Sequence, residues 1–396
     1  MNNKYSPLVN SHFIVGRGSI NFIRQLDKKR AVVIYDGRIL SDTIKEQIIK
    51  LVAENNGECR FIADIRNEPF FSDILKAADD MKSFDPDLII AIGGGSVLDT
   101  AKAMHLFYEY PEMSMEDALV PYNLPKLGVK AIMVAIPTTT GTGSETTSAA
   151  VFMDQLTKAK HLMLSNELIP AYAILDANFT DSLPKTIAAN TGMDALTHAL
   201  EASVCKTASP MVISIAVGAA LDILENLESS VSSRHQDVKA NAREICHVAA
   251  SLAGVVITNS CAGLAHGFDQ PGAYFGLPHG MVCGLLLPYT TAFASPHASY
   301  AKLAKRLGIE GDNKKELCQK LVDYLMEFSK KIGIPSNFAE AGIDESMFMA
   351  KLDDFADLAI SAVATKLSPK LPSFQEAKKL LIDAYYGNQP LVISEL

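Results

Sequence analysis

The sequence predicts an α/β N-terminal domain built on a parallel sheet, followed by an all-α C-terminal domain. Three observations carry this expectation. The first half alternates short apolar, β-rich runs with segments of helical spacing. After Pro184 the strand-like runs stop, and long segments with apolar residues at helical spacing take over. The 396 residues suit two domains, and a composition of 48% apolar against 20% charged residues can bury a full core. The boundary is expected near Leu183-Pro184, which gives domains 1–184 and 185–396.

In chain order, residues 13–18 read as a short strand running into a turn. Residues 31–35 are a continuous apolar run that ends at Asp36-Gly37, and Ser41 then opens a helix towards Glu54. Residues 60–64 form a second strand, 71–82 a helix and 87–92 a third strand, with Gly93-Gly94-Gly95-Ser96 following at once. The next helix covers 97–107. Residues 111–128 hold three prolines and no clear period, so they read as a loop. A further strand over 130–136 ends at Pro137, and another covers 149–152. Apolar strands separated by helices indicate a parallel sheet covered on both faces. In the second half, helical spacing covers 185–204, 209–228, 238–260, 280–294, 314–332, 345–364 and 374–386.

A formal charge of −9 disfavours a sequence-independent grip on nucleic acid or on an anionic membrane. No apolar stretch is read as long enough to span a bilayer. The longest run, 248–257, contains Ser251 and Gly254 and reads as a buried helix. The first residues lack the apolar core of a signal peptide. Six cysteines, at 59, 205, 246, 261, 283 and 318, form no Cys-x-x-Cys pair. They read as buried thiols in a reducing cytoplasm.

Asp194 and His198 are four apart, so a helix places both on one face about a turn apart. A carboxylate and an imidazole so placed can grip a divalent metal, and His266 and His279 can supply further donors. Upstream, Gly94, Gly95 and Ser96 lie between a strand and a helix, where backbone N–H groups at the helix start can meet a phosphate. This is neither the Gly-x-Gly-x-x-Gly fingerprint nor a Gly-Lys-Ser/Thr loop. Asp99 is placed to face that loop. Thr138, Thr139 and Thr142 belong to a second Gly- and hydroxyl-rich loop at a strand end, suited to phosphate or ribose. Two such loops fit a ligand lying across the carboxyl edge of the sheet. Asp36, at the end of an early strand, is placed to take ribose hydroxyls, which favours NAD. Arg38 is placed to take a 2′-phosphate, which favours NADP.

Four motifs, Gly93-Gly-Gly-Ser-Val-Leu-Asp-Thr-Ala-Lys102, Pro137-Thr-Thr-Thr-Gly-Thr-Gly-Ser-Glu145, Asp194-Ala-Leu-Thr-His198-Ala-Leu-Glu201 and Pro278-His279-Gly280, resemble those of the iron-containing (group III) alcohol dehydrogenases, in family order. The likeness runs from about residue 12 to the C-terminus. It implies a dehydroquinate synthase-like architecture, with a dinucleotide-binding α/β domain, a helical metal-binding domain and an active site in the cleft between. It also implies NAD(P)-dependent interconversion of small alcohols and aldehydes, with Fe²⁺ or with Zn²⁺ or another divalent ion, in a homodimer or larger assembly. Carried over residue by residue, Asp194, His198, His266 and His279 are similar to the metal ligands. Gly94, Gly95, Ser96, Asp99, Thr138, Thr139, Thr142 and Asp36 are similar to the cofactor contacts, and Lys160 resembles a lysine that faces the cofactor.

One departure matters. Many members of that family carry a further histidine four residues after the third ligand, where this chain has Gln270. Glutamine hydrogen-bonds but does not shuttle a proton near neutral pH. Asp269 or a water chain is the expected substitute. The alternatives left open are a maleylacetate reductase-like enzyme, a dehydroquinate synthase-like enzyme and a cofactor-binding protein without catalysis.

Overall fold

Six strands make one all-parallel sheet: β1 His12–Val15, β2 Arg30–Tyr35, β3 Glu58–Asp64, β4 Leu88–Gly93, β5 Ile132–Pro137 and β8 Tyr172–Leu175. Their order is β1-β8-β5-β4-β2-β3. The other two strands, β6 Ala149–Met153 and β7 Lys160–Leu164, pair antiparallel as a separate hairpin. This computed structural model describes residues 8–65, 70–153 and 160–393, the side chains of Met153 and Lys160 excepted. The chain divides into two units, Met1–Leu183 and Pro184–Leu396.

In the first unit the central strands are apolar along their whole length because both faces of the sheet are covered. All six residues of β4 are buried. Val32, Ile34, Ile89 and Ala91 pack with Ile74 and Met81 of α2 (Phe71–Lys82) and with Leu98 and Met104 of α3 (Gly95–Glu109). The alternate residues Ala31, Val33, Ile90 and Ile92 pack with Ile48 and Leu51 of α1 (Asp42–Ala53). Register aligns the strand ends. Tyr35 pairs with Ile92 and Gly93 with Pro137, so the loops after β2, β4 and β5 leave the sheet side by side at its carboxyl edge. The order reverses between β4 and β2, a topological switch point of the kind at which α/β sheets take ligands.

Two strands differ from the sequence expectation. β7 and β8 are four or five residues long, too short to show a clear period, yet β8 sits between β1 and β5 and completes the sheet. The segment 111–128, expected to be a loop, contains one turn of helix, α4 Met115–Ala118, started by the Ser114 side chain.

The second unit is helical among its described residues. It comprises α5 Lys185–Val204, α6 Pro210–Ser232, α7 Gln236–Thr258, α8 Leu264–Gly267, α9 Gln270–Phe275, α10 His279–Ala294, α11 Ala298–Arg306, α12 Lys314–Lys331, α13 Glu345–Ala350, α14 Leu352–Ser361, α15 Val363–Lys366 and α16 Phe374–Tyr386. The single helix expected over 345–364 is broken at Lys351 and Ala362. The central helix is α5, whose residues from Gly192 to Val204 are all buried, and α6, α7 and α10 pack against it. Gly280 makes the α5–α10 contact possible, since a Cβ there would collide with the Asn190 carbonyl and reach Asp194.

One expectation needs correcting. Among the described residues α6 is long and apolar enough, by length and composition, to cross a membrane. Asp222, Glu225 and Glu228 break up its apolar run, which hid it from a reading by continuous stretches. Its buried residues, Val212, Ala216, Ala220, Ile223 and Leu227 among them, belong to a helix packed on α5 and α7.

Candidate functional site

At the carboxyl edge of the sheet, Asp36 continues β2, with its N–H donated to the Ile92 carbonyl. Its carboxylate is gripped by Arg38, at 2.9 Å from Nε to Oδ1 and 2.6 Å from Nη2 to Oδ2. Burial works against ionisation of Asp36, but these bonds outweigh it and hold the carboxyl below its usual range. The two residues that the sequence offers as rival ribose and 2′-phosphate contacts therefore hold each other. Asp64, at the end of β3, takes the Gly37 N–H at 2.7 Å, a neighbour that the sequence reading missed. Its only signal was its place at a strand end.

Gly94 is the N-cap of α3 and brings no side-chain cap, so the first N–H groups of this helix keep their donor capacity. Gly94, Gly95 and Ser96 are half-buried. A Cβ on Gly95 would stand 2.8 Å from Thr142 Cγ2, so a bare backbone at 95 is what lets the two loops meet. In the second loop Thr142 Oγ1 accepts the Ser144 N–H, and Thr139 is half-buried. Thr138 and Thr140 are buried with hydroxyls that find no partner. Glycine backbone, an uncapped helix start and unpartnered hydroxyls in one place are the donor set that a dinucleotide pyrophosphate needs, so the residues fit such a cofactor.

The Asp99 carboxylate reaches the second loop, accepting from Ser144 Oγ at 2.5 Å, and also accepts the Val151 N–H at 3.0 Å. Lys102, one turn on, is fully buried and donates to the carbonyls of Thr147 (2.9 Å) and Ala149 (2.8 Å). Burial pulls its ammonium down to about 8, against the carboxylates of Asp99 and Glu145. Together they tie the second loop to α3. The spacing of Asp99 and Lys102 on one helix face was the signal available for this role. The side chain of Lys160 lies outside the described residues.

In the second unit α5 carries Asp194 and His198 on its buried face, α8 carries His266, and His279 is the first residue of α10. Three imidazoles converge on one oxygen. The Nε2 atoms of His198, His266 and His279 lie 3.7, 3.6 and 3.5 Å from Asp194 Oδ1. The rings of His198 and His266 stack at 4.7 Å. Asp194 is 3% exposed, whereas the His279 side chain is 44% exposed. Asp194 Oδ1 and His266 Nε2 are buried and find no hydrogen-bond partner. Orphaned acceptor atoms facing each other are costly unless a cation sits among them, so the donor set fits a divalent ion.

The second ring nitrogens of His266 and His279 are held from outside, whereas Nδ1 of His198 finds no partner. Glu201 Oε2 lies 2.6 Å from His266 Nδ1, and the same carboxylate accepts the N–H groups of Gly263 (2.8 Å) and Ala265 (2.5 Å). Asp269 Oδ2 lies 2.9 Å from His279 Nδ1. An acceptor at Nδ1 puts the ring proton there and leaves the Nε2 lone pair facing the cluster. Burial works against the Asp194 charge, but the surrounding imidazoles outweigh it and hold the carboxyl well below its usual range. Burial pulls His198 down to about 4, against Asp194. Gln270 is half-buried in the first turn of α9. Glu201 was missed as a site residue although it lies one turn beyond His198 on α5. Beside these ligands Leu264 and Phe268 are buried core, and Tyr274 is exposed.

A parallel sheet with Gly- and Thr-rich loops at its switch point, and a helical unit with a carboxylate and three imidazoles around one point, define a class of metal-dependent oxidoreductase. Residues 10–177 match the family described as iron-containing alcohol dehydrogenase, and residues 188–385 match the C-terminal part of that family. The chain belongs to the iron-containing alcohol dehydrogenase family. It is similar to the NADPH-dependent butanol dehydrogenase of Clostridium saccharobutylicum, 34% identical over 378 residues that cover 94% of this chain and 96% of that protein. It is 34% identical to the bifunctional aldehyde-alcohol dehydrogenase of Escherichia coli K12 over 91% of this chain, but spans only 43% of that protein. Its structure is similar to that of the iron-containing alcohol dehydrogenase from Thermococcus thioreducens, with a TM-score of 0.87 at 29% identity, covering 96% of this chain and 99% of that one.

Proposed function

We propose that this alcohol dehydrogenase transfers a hydride between NAD(P) and a short primary alcohol or aldehyde, with a divalent ion held by Asp194, His198, His266 and His279. The observation that carries the reading is the convergence of three Nε2 atoms on Asp194 Oδ1 at 3.5–3.7 Å, with Oδ1 itself unpartnered. When bound, the ion supplies Lewis-acid polarisation of the substrate oxygen and the nicotinamide supplies or accepts the hydride.

The chain's own residues do the rest. Glu201 and Asp269 hold His266 and His279 in the tautomer with Nε2 free. Asp194 balances charge at the centre. Gly94, Gly95, Ser96, Thr138, Thr139 and Thr142 take the cofactor's phosphates and ribose, and Asp99 and Lys102 brace them. Asp36 takes the adenosine ribose of NAD, and Arg38, once released, takes the 2′-phosphate of NADP. In this reading residues 1–184 are the cofactor domain and 185–396 the metal domain. Gln270 orients the substrate, and Asp269 relays charge through His279 instead of acting as a free base.

Three imidazoles with one carboxylate suit Fe²⁺, with Zn²⁺ as the next choice. The butanol activity of the Clostridium relative supports a small, weakly polar substrate. Six cysteines without a disulfide support a reducing, cytoplasmic setting, and we assign a homodimer or larger homo-oligomer. The test is NADH and NADPH oxidation with short aldehydes after chelator stripping and anaerobic return of Fe²⁺, Zn²⁺ or Mn²⁺. Turnover restored by one metal supports the reading. Cofactor binding without turnover for any metal or aldehyde overturns it.

A further inference from the structure

A cavity of about 530 Å³ lies in the second unit, between α11 and the start of α12. Its volume is that of a small-molecule site, and none of its lining residues belongs to the sites described above. Lys302, Lys305, Arg306 and Lys314 line it, against one acid, Asp312. Residues 298–315 carry five cations and two acids, in a chain whose net charge is −9. Among the described residues none of the four cationic side chains makes an ion pair or a hydrogen bond within the protein. Arg306 acts at longer range on Asp222, whose carboxyl burial raises and Arg306 tempers.

Folding alone does not account for this placement. Lys302, Lys305 and Arg306 stand at i, i+3 and i+4 on α11, a helix that contains no acid, and like charges so spaced repel. The negative end of α11 favours Lys305 and Arg306 in its last turn, but not Lys302. Lys314 is the first residue of α12, at the positive end of that dipole, where a cation is unfavourable. Burial, and after it the charge of Lys314, keeps the neighbouring His297 imidazole below its ordinary value. Asn313 Oδ1 already accepts the Glu316 N–H at the start of α12, so what the cavity offers an anion is its side chains. Mutually repelling cations from two helices are stabilised together by a multiply charged anion. We propose that the cavity binds a small, phosphate-bearing molecule of multiple negative charge through Lys302, Lys305, Arg306 and Lys314, with Ala298, Ala301 and Leu317 as its apolar wall. The inference is independent of the metal reading.

The experiment titrates the full chain with inorganic tripolyphosphate and with ATP in a calorimeter, at about 0.15 M salt, where diffuse attraction between surface charges is largely screened. Saturating NADH is present throughout, so that the glycine loops of the first unit do not compete for the phosphates. The comparison is a triple variant, Lys302→Gln, Lys305→Gln and Lys314→Gln, whose three positions are exposed, with circular dichroism to check the fold. The expected result is binding of tripolyphosphate to the wild type that weakens at least about tenfold in the variant, while the Kd for NADH stays within about twofold. The anion should also raise the Tm of the wild type more than that of the variant. ATP binding more tightly than tripolyphosphate supports a nucleotide, with its base on the apolar wall, and equal affinities support a free polyphosphate. A wild type that takes neither anion at that salt overturns the proposal, and so does a variant that takes both as the wild type does.

Discussion

Glu201 Oε2 stands 2.6 Å from His266 Nδ1, and the same carboxylate accepts the backbone N–H groups of Gly263 and Ala265. One side chain of α5 thus sets both the backbone turn that leads into α8 and the orientation of the ring that α8 carries. Replacement by glutamine keeps the shape but sets an NH₂ donor against N–H groups. Glu201→Gln is expected to weaken binding of Zn²⁺ or Fe²⁺ by roughly 10–100-fold. Competition with a chromophoric chelator measures this. Unchanged affinity would mean that Glu201 serves the turn alone.

His266→Ala and His279→Ala are expected to lower metal content and turnover together. The His279 side chain is 44% exposed, so its loss should leave the fold intact. Elemental analysis beside circular dichroism separates loss of metal from loss of structure. Full activity in a metal-free variant sinks the Lewis-acid role.

Asp36 and Arg38 make an opposed pair at the end of β2. The Arg38 side chain is 60% exposed and its ion pair is with Asp36, with Asp64 adding a further attraction, so removing the Asp36 carboxylate loosens the guanidinium. Asp36→Ser is expected to raise the ratio of kcat/KM for NADPH over NADH about tenfold, the effect of about 1.4 kcal/mol. Arg38→Ala should move the ratio the other way. A ratio indifferent to both changes places the adenosine ribose elsewhere.

Lys102 gives stability a dependence on alkaline pH. Its folded pKa, about 8, lies below the ordinary 10.5. Below about 8 both folded and unfolded chains hold the proton. Between about 8 and 10.5 the unfolded chain holds more, so stability contributed by this group rises with pH across that window. The gap is worth roughly 3 kcal/mol when fully developed. Urea unfolding across that range should show wild type gaining on Lys102→Met, and parallel curves would remove Lys102 as the cause. Lys102→Met should also raise the Kd for NAD(P), because the second loop loses its anchor at Thr147 and Ala149.

Gln270→His introduces a group that titrates near about 6.5 in the first turn of α9. The expected outcome is a new limb near that pH in the profile of kcat for aldehyde reduction. A profile that keeps the wild-type shape places residue 270 away from the transferred proton.

Much of the architecture is a local property of the chain. Continuous apolar runs at β2 and β4, and helical spacing in α5, α6 and α7, are set by periodicity and by burial on one or both faces, so a reader of the sequence finds them. The pair Asp194 and His198 is local too, because an α-helix puts residues four apart on one side. The glycines of 93–95 declare a close approach of backbone. A four-residue element, β8, escaped because so short a strand has no period to recognise.

Contacts between residues far apart in the chain were decided by packing alone. Periodicity tells which face of a helix is buried but not how that helix is rotated and set against another. That rotation brings Glu201 to His266 and Asp269 to His279. It also turns Asp99 towards Ser144. The residue types were written in the chain from the start, but the partner each side chain meets depends on the three-dimensional register of α5, α8 and α10, which no local spacing encodes.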